Sequence, residues 1–129
     1  MTHRILVVED DPSVRTLLDS LLSGEGNDVK TASDGTGALQ LAHDHVPAVI
    51  LLDVMMPDHG GLHVLEQLRA DDGLSQVPVL VVTGAVDKVP ELRDQLGRDR
   101  VFVKPFVVAD LLEQVAQLTG GPHPVTGDN

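Results

Sequence analysis

Four short apolar runs recur along this 129-residue chain, and they restrict the possible folds more than any other feature. They are ILVV (5–8), AVILL (48–52), VPVLVV (77–82) and VFV (101–103). Runs that do not alternate with polar residues are typical of strands buried on both faces, which occur in parallel sheets covered by helices. A further, alternating segment, DVKTA (28–32), predicts a half-exposed strand.

Segments with helical spacing fill the gaps between these strands. Asp11 followed by Pro12 predicts the N-cap and first residue of the first helix, and SDG (33–35) predicts the start of the second. The five predicted helices have apolar faces formed by Val14, Leu17, Leu18, Leu21 and Leu22; by Ala38, Leu41, Ala42 and Val46; by Leu62, Leu65 and Leu68; by Val89, Leu92 and Leu96; and by Val108, Leu111, Leu112 and Val115.

Strand and helix alternate five times, which predicts one α/β domain: a three-layer (βα)5 sandwich with a parallel five-stranded sheet and right-handed crossovers. We expect this domain to span residues 1–119. Residues 120–129, GGPHPVTGDN, contain turn-forming residues without periodicity and predict a flexible C-terminal tail. In sheets of this kind the ligand site lies outside the carboxyl ends of the strands.

Composition excludes several classes of function. Twenty acidic residues against nine basic ones give a formal net charge of −11, so we expect no direct binding to nucleic acid and no attraction to an anionic membrane. The absence of cysteine excludes disulfides, thiolate metal sites and cysteine nucleophiles. The N-terminus does not resemble a signal peptide, and no apolar run approaches membrane-spanning length, so a cytoplasmic location is expected.

Polar residues follow each buried run directly. Glu9, Asp10 and Asp11 follow the first, Asp53 follows the second, Thr83 the third and Lys104 the fourth. Because the carboxyl ends of parallel strands meet at one edge of a sheet, these side chains are expected to share a small volume.

That set of groups favours phosphoryl chemistry. Clustered carboxylates repel each other, and a hard cation such as Mg²⁺, which prefers oxygen ligands, relieves the repulsion. Lys104 offers a positive charge to an anion, and the Thr83 hydroxyl can donate to a phosphoryl oxygen. An ionised aspartate needs no general base, so Asp53 could accept a phosphoryl group as an aspartyl-phosphate.

In this order, ILVVEDDPSVR, VILLDVMMPDHGG, VVTGA and VFVKPF resemble the receiver domain of two-component response regulators, over about residues 4–119. The resemblance implies a flavodoxin-like fold with sheet order 2-1-3-4-5. It implies phosphoryl transfer to Asp53 from a histidine kinase or a phosphotransfer protein. It also implies a chemotaxis-regulator-like, single-domain protein that is no enzyme beyond catalysing its own phosphorylation and dephosphorylation.

The resemblance assigns roles to single residues. Asp10 and Asp53 bind Mg²⁺ through their side chains, Glu9 helps through water, and the Met55 carbonyl completes the protein ligands. Thr83 and Lys104 contact the phosphoryl group. The bond that Lys104 makes to the following proline is expected to be cis.

The resemblance also implies an output surface. The fourth helix, fifth strand and fifth helix together form the face that binds a downstream protein partner. Homodimerisation is left open, and the sequence names neither the kinase nor the pathway.

The sequence departs from the family pattern at several positions. Val101 stands where the family commonly has an aromatic switch residue, and Phe102, shifted by one residue, is expected on the other face of the sheet. Gly60 replaces a loop acid or amide. The two positions tied to phosphoryl lifetime are Met55 and Ala85, whose side chains cannot orient a water, so slow self-dephosphorylation is expected.

Other interpretations were weighed against this one. Asp11 fits an N-cap better than a metal ligand. His59 and His63 have helical i, i+4 spacing, but ordinary surface histidines explain them better than a zinc site. One alternative function is a phosphorylation-independent scaffold with the receiver fold. Another is a Mg²⁺-dependent phosphohydrolase, which is disfavoured because Glu9 occupies the nucleophile position of the Asp-x-Asp motif that haloacid-dehalogenase-like phosphatases need.

Overall fold

The computed structural model describes residues 3–56 and 60–120. Five strands within these ranges form one parallel sheet. The strands lie in the order β2-β1-β3-β4-β5. Their bounds are β1 Arg4–Val8, β2 Asp28–Ala32, β3 Val49–Leu52, β4 Val79–Thr83 and β5 Val101–Val103. The predicted fold class and strand order are confirmed.

Five helices alternate with the strands. Their bounds are α1 Pro12–Gly24, α2 Gly35–Asp44, α3 Gly60–Ala70, α4 Val89–Leu96 and α5 Val108–Leu118, and 3₁₀ turns cover Val86–Lys88 and Arg98–Arg100. Among the described residues, no helix is long and apolar enough to cross a membrane.

The predicted helix starts are confirmed by their capping bonds. The Asp11 carboxylate accepts hydrogen bonds from the main-chain N–H groups of Ser13 and Val14, and Pro12 is the first residue of α1. Asp34 caps α2 by accepting from the Gly37 N–H at 2.7 Å. Both caps satisfy donors that the first turn of a helix leaves unpaired.

Alternate residues of the strands contribute their side chains to two hydrophobic cores, one on each face of the sheet. On one face, Leu6, Ile50 and Val81 pack with α2, α3 and α4. On the other, Val7 and Leu51 pack with α1 and α5. Burial on both faces explains why β1, β3 and β4 are continuous apolar runs, whereas the edge strand β2 alternates.

Four predicted apolar faces differ from the structure at one exposed residue each: Leu17 (48% exposed), Val46, Leu62 and Val108 (37% exposed). Val46 was expected on α2, but the helix ends at Asp44, because Pro47 disfavours helical conformation before it, and Val46 is 49% exposed. In α3, Leu62 is 36% exposed, whereas Val64, which the predicted face omits, is fully buried. The predicted tail lies, beyond Gly120, outside the described residues.

Candidate functional site

The carboxyl ends of four strands bring the predicted polar groups together. Asp53 follows β3, and its N–H donates to the Val8 carbonyl at the end of β1 (3.0 Å). Lys104 follows β5, and its N–H donates to the Thr83 carbonyl at the end of β4 (2.8 Å). Main-chain bonds of this kind fix the starting point of each side chain relative to its neighbours.

Three carboxylates converge at this edge. One oxygen each from Glu9, Asp10 and Asp53 lies within 4.8 Å of the others. Glu9 and Asp53 are buried, with 1% and 5% of their surface exposed, and Asp10 is half-buried. Acidic groups cannot be buried so close together at low cost unless a cation compensates them.

Lys104 supplies part of that compensation. Its ammonium nitrogen donates to Glu9 Oε1 at 2.8 Å and to Asp53 Oδ2 at 3.0 Å. The Lys104–Pro105 bond is cis, as predicted. One ammonium charge therefore faces two buried carboxylates, which leaves the site short of positive charge.

The pKa of Glu9 is raised, chiefly because the carboxyl is buried. Burial raises the pKa of the Glu9 carboxyl from 4.5 to about 7; the hydrogen bonds from Lys104 and the Asp11 N–H oppose the rise, and the charge of Asp53 adds to it. Burial lowers the pKa of the Lys104 ammonium, but its hydrogen bonds to Glu9 and Asp53 outweigh burial, and the net pKa is raised. The lysine is thus held as a cation.

The second oxygen of Asp53 is oriented by the main chain. Its Oδ1 accepts a hydrogen bond from the Met55 N–H at 2.8 Å, while Oδ2 faces Lys104. Both oxygens of this carboxylate are therefore fixed before any ligand binds. The Met55 side chain is 58% exposed, whereas Asp53 itself is buried.

Thr83 completes the edge of the site. It is fully buried, and its Oγ1 accepts a hydrogen bond from the Ala85 N–H at 3.0 Å. The hydroxyl hydrogen is not used in that bond and can be donated to a ligand oxygen. The bond also ties the loop that follows β4 to the site.

Two structural supports of the site were missed by the sequence reasoning. The Arg15 Nη1 on α1 donates to the carbonyl oxygens of Glu9 (2.9 Å) and Asp10 (3.3 Å), which holds the acidic turn against the helix. Gly61 packs so closely on the Asp53–Val54 main chain that a β-carbon there would overlap it. For Gly61, the available sequence signal was the pair Gly60-Gly61 that follows Asp53.

Val101 and Phe102 lie on opposite faces of the sheet, as predicted. Val101 belongs to the core beneath α4, and Phe102 packs against the core beneath α5. A large aromatic side chain is therefore missing from the α4 side of β5.

The histidines within the described part of the chain do not join the acidic cluster. Within the described ranges, the group of residues able to hold a metal contains Glu9, Asp10 and Asp53. His43 instead pairs with Asp71 at 3.0 Å, away from this edge. His59 lies outside the described residues, so the zinc alternative that involves it is untested.

A parallel sheet of order 2-1-3-4-5 that carries acidic residues, a buried threonine and a lysine at its carboxyl edge is the architecture of a receiver domain. The sequence matches the family model of the response regulator receiver domain over residues 5–116. The chain therefore belongs to the receiver family of two-component response regulators.

Known proteins of this family resemble the chain in sequence and in structure. The DNA-binding response regulator MtrA of Mycolicibacterium smegmatis is 40% identical over 115 residues, which are 89% of this chain and 50% of that protein. The receiver domain of the sensor histidine kinase PA1611 from Pseudomonas aeruginosa, which has magnesium in its active-site cleft, superimposes with a TM-score of 0.82 at 28% identity, covering 94% of this chain and 100% of that one.

A third relative is the chemotaxis response regulator CheY4 of Vibrio cholerae. Its structure superimposes with a TM-score of 0.80 at 28% identity, covering 92% of this chain and 99% of that one. By contrast, the chain spans about half the length of the curated response regulators it matches.

Proposed function

We propose that this receiver accepts a phosphoryl group on Asp53 from a histidine kinase or a phosphotransfer protein, in a Mg²⁺-dependent reaction, and that phosphorylation changes its binding to a protein partner. The observation that carries the proposal is the position of Asp53: a buried carboxylate held between the Lys104 ammonium and the Met55 N–H, beside two further acids. In-line attack by one Asp53 oxygen forms a P–O bond while the P–N bond of the donor phosphohistidine breaks.

The donor set suits Mg²⁺. Three carboxylates in close proximity match its preference for oxygen ligands, and Glu9, Asp10 and Asp53, with the Met55 carbonyl, would hold the ion. When bound, Mg²⁺ neutralises part of the charge on the phosphoryl oxygens. The protein's own contribution is to exclude water from Asp53, to fix both of its oxygens, and to keep Lys104 protonated.

Thr83 and Lys104 are proposed to contact the transferred phosphoryl group. Lys104 now donates to two carboxylates, and its ammonium can form hydrogen bonds of the same charge-assisted kind with phosphoryl oxygens. The Thr83 hydroxyl anchors the Ala85 N–H, so a bond from Thr83 to the phosphoryl group would pull on the loop after β4.

Output is proposed to pass through the α4-β5-α5 face. A groove of about 450 Å³ runs along this face, with Phe102 and Phe106 in its lining, Arg93 and Arg98 among its basic residues, and Glu113 among its acidic ones. Both aromatic residues of the chain thus line one groove, which suits a protein surface better than a small solute. Because the net charge is −11, we do not propose that this chain binds nucleic acid directly.

The stand-alone organisation and the cytoplasmic location belong to the proposal as well. MtrA is a DNA-binding protein about twice as long as this chain, so the mass of the native polypeptide, measured on protein from its source, distinguishes a single domain from part of a larger regulator.

Intact mass spectrometry tests phosphorylation directly. The protein is incubated with acetyl phosphate in the presence and absence of Mg²⁺, beside the Asp53→Asn variant. We expect one phosphoryl adduct that needs Mg²⁺ and is lost in Asp53→Asn. Absence of an adduct from both proteins would favour the phosphorylation-independent scaffold, for which Val101 at the usual aromatic position is the supporting observation.

A further inference from the structure

A second polar groove lies at the opposite edge of the sheet, where the strands begin. It has a volume of about 460 Å³ and lies between the end of α3, the segment before β4, the residue before β5 and the end of α5. Its polar lining residues are Arg69, Ser75, Gln76, Arg100 and Gln117. Because parallel strands have all their amino ends at one edge, this groove is separated from Asp53 by the length of the sheet.

Two arginines share this groove without an acidic partner. Neither Arg69 nor Arg100 forms an ion pair within residues 3–56 and 60–120, whereas Asp71, just beyond α3, is engaged by His43. Other basic residues, such as Lys88, are also unpaired in the described part of the chain. What distinguishes Arg69 and Arg100 is that they line one groove together, where a single anion can contact both.

The Arg69 guanidinium is already oriented. Its Nη1 donates to the carbonyl oxygens of Ser75 (3.0 Å) and Val77 (3.2 Å), and its other nitrogens make no hydrogen bond among the described residues. A guanidinium held at one nitrogen presents its remaining donors at lower entropic cost than a free side chain.

The two positive charges are close enough to influence each other. Burial lowers the pKa of Arg69, and the charge of Arg100 lowers it further. Arginine nonetheless remains charged near neutral pH, so the groove keeps two positive charges. The Ser75 hydroxyl and the amides of Gln76 and Gln117 add neutral donors around the pair.

We propose that this groove binds a phosphate group, independently of the phosphorylation of Asp53. A phosphate dianion matches two guanidinium charges, whereas a single carboxylate would leave one of them uncompensated. Its oxygens can also accept from the neighbouring hydroxyl and amide groups. The phosphate could come as the free ion or as part of a small monoester, and the chemistry of recognition is the same.

Titration followed by amide NMR tests this proposal. Inorganic phosphate, a small phosphate monoester and acetate are added in turn at constant ionic strength without Mg²⁺. We expect saturable shifts at Ser75, Gln76 and Val77 with both phosphate compounds and not with acetate. Tighter binding of the monoester would identify an ester as the ligand, and equal binding would identify free phosphate.

Variants separate this groove from other cationic sites. Arg100→Gln should weaken phosphate binding at these amides by about tenfold or more, since hydrogen bonds to charged groups are lost. Arg98→Gln should not, because Arg98 lies in the same 3₁₀ turn but lines the other groove. Arg69→Gln serves as a second variant, provided its melting curve shows that it folds.

Phosphate bound near Asp53 would shift a different set of amides. Phosphate held by Lys104 would shift the amides of the loop after β4, so the groove signal should persist in Lys104→Gln. Shifts that do not saturate, or that are the same in Arg100→Gln as in the unmodified protein, would overturn the proposal.

Discussion

The ammonium nitrogen of Lys104 lies 2.8 Å from Glu9 Oε1, although the two residues are 95 positions apart in the sequence. The same nitrogen is 3.0 Å from Asp53 Oδ2. A single side chain thus connects the carboxyl ends of β1, β3 and β5. Because both acids are buried and the lysine is one-quarter exposed, this contact governs the charge balance of the whole site.

Lys104→Met should destabilise the Mg²⁺-free protein. Removing the cation leaves two buried carboxylates unpaired, which costs about 3 kcal/mol. Chemical denaturation without Mg²⁺, near pH 8, measures the loss. Added Mg²⁺ should restore more stability to this variant than to the unmodified protein. Lys88→Met is the matched control, since Lys88 forms no ion pair in the described part of the chain; equal losses in both variants would contradict the prediction.

The raised pKa of Glu9 should make stability depend on pH. Its pKa is 4.5 in the unfolded chain and about 7 in the folded protein, so the folded state binds this proton more tightly. The resulting stabilisation is complete below about pH 4.5 and is lost as the pH rises through about 7. Its size is of the order of 3 kcal/mol.

Glu9→Gln isolates this contribution. In Mg²⁺-free buffer, the unfolding free energy of the unmodified protein minus that of Glu9→Gln should decrease between about pH 4.5 and pH 8. Glu66→Gln, at an exposed position on α3, should show a nearly constant difference. Parallel curves for Glu9→Gln and the unmodified protein would show that the Glu9 carboxyl titrates normally.

The strands and the acidic edge could be predicted because both depend on local sequence. A run buried on both faces is recognisable without knowing its neighbours, and the residue directly after it, such as Asp53, must lie at the carboxyl edge. Helix ends were predictable where a capping residue marks them, as Asp11 does. Helix ends could not be predicted where the apolar pattern continues past the helix, as it does at Val46.

The supporting contacts could not be predicted because they depend on how helices dock. Nothing near Arg15 shows that its guanidinium reaches the carbonyls of Glu9 and Asp10, since this requires the exact placement of α1. The sequence placed Lys104 at the site, but its pairing with both Glu9 and Asp53 depends on distances between non-adjacent strands. Side-chain spacing alone placed Leu62 on the apolar face of α3, where Val64 is buried instead.

Gly61→Ala should destabilise the protein and misplace Asp53. A β-carbon at Gly61 would overlap the Asp53 carbonyl oxygen and the Val54 Cα, which are main-chain atoms that cannot rotate away. The expected cost is about 3 kcal/mol, measured by chemical denaturation, together with a slower reaction with acetyl phosphate. Gly24→Ala is the control: nothing lies near its β-carbon, so it should be neutral or slightly stabilising.

Thr83→Val should leave the Ala85 N–H without its acceptor. The hydroxyl is replaced by a methyl group of similar size, so the loss reports the hydrogen bond, at about 1–2 kcal/mol. Hydrogen exchange at the Ala85 amide should become faster. Thr83→Ser retains the hydroxyl and should keep the amide protected; protection that is equal in Val and Ser variants would mean that this bond does not hold the loop.

If Asp53 accepts a phosphoryl group as proposed, the side chains at positions 55 and 85 should make the phosphorylated form long-lived. Met55 is largely exposed and Ala85 is buried, and neither carries a group that can orient a water toward a phosphoryl group on Asp53. Met55→Asn introduces an amide two residues past Asp53 and should speed the loss of the phosphoryl group several-fold. Met55→Leu, which is similar in size and cannot hydrogen-bond, should not.

Decay is followed by intact mass after acetyl phosphate is removed, with Mg²⁺ retained and no phosphatase added. A lifetime of only seconds in the unmodified protein, or equal decay of the Asn and Leu variants, would show that water reaches Asp53 by a route that the residue at position 55 does not control. Slow decay that becomes faster only in Met55→Asn would instead assign the lifetime of the signal to this single side chain.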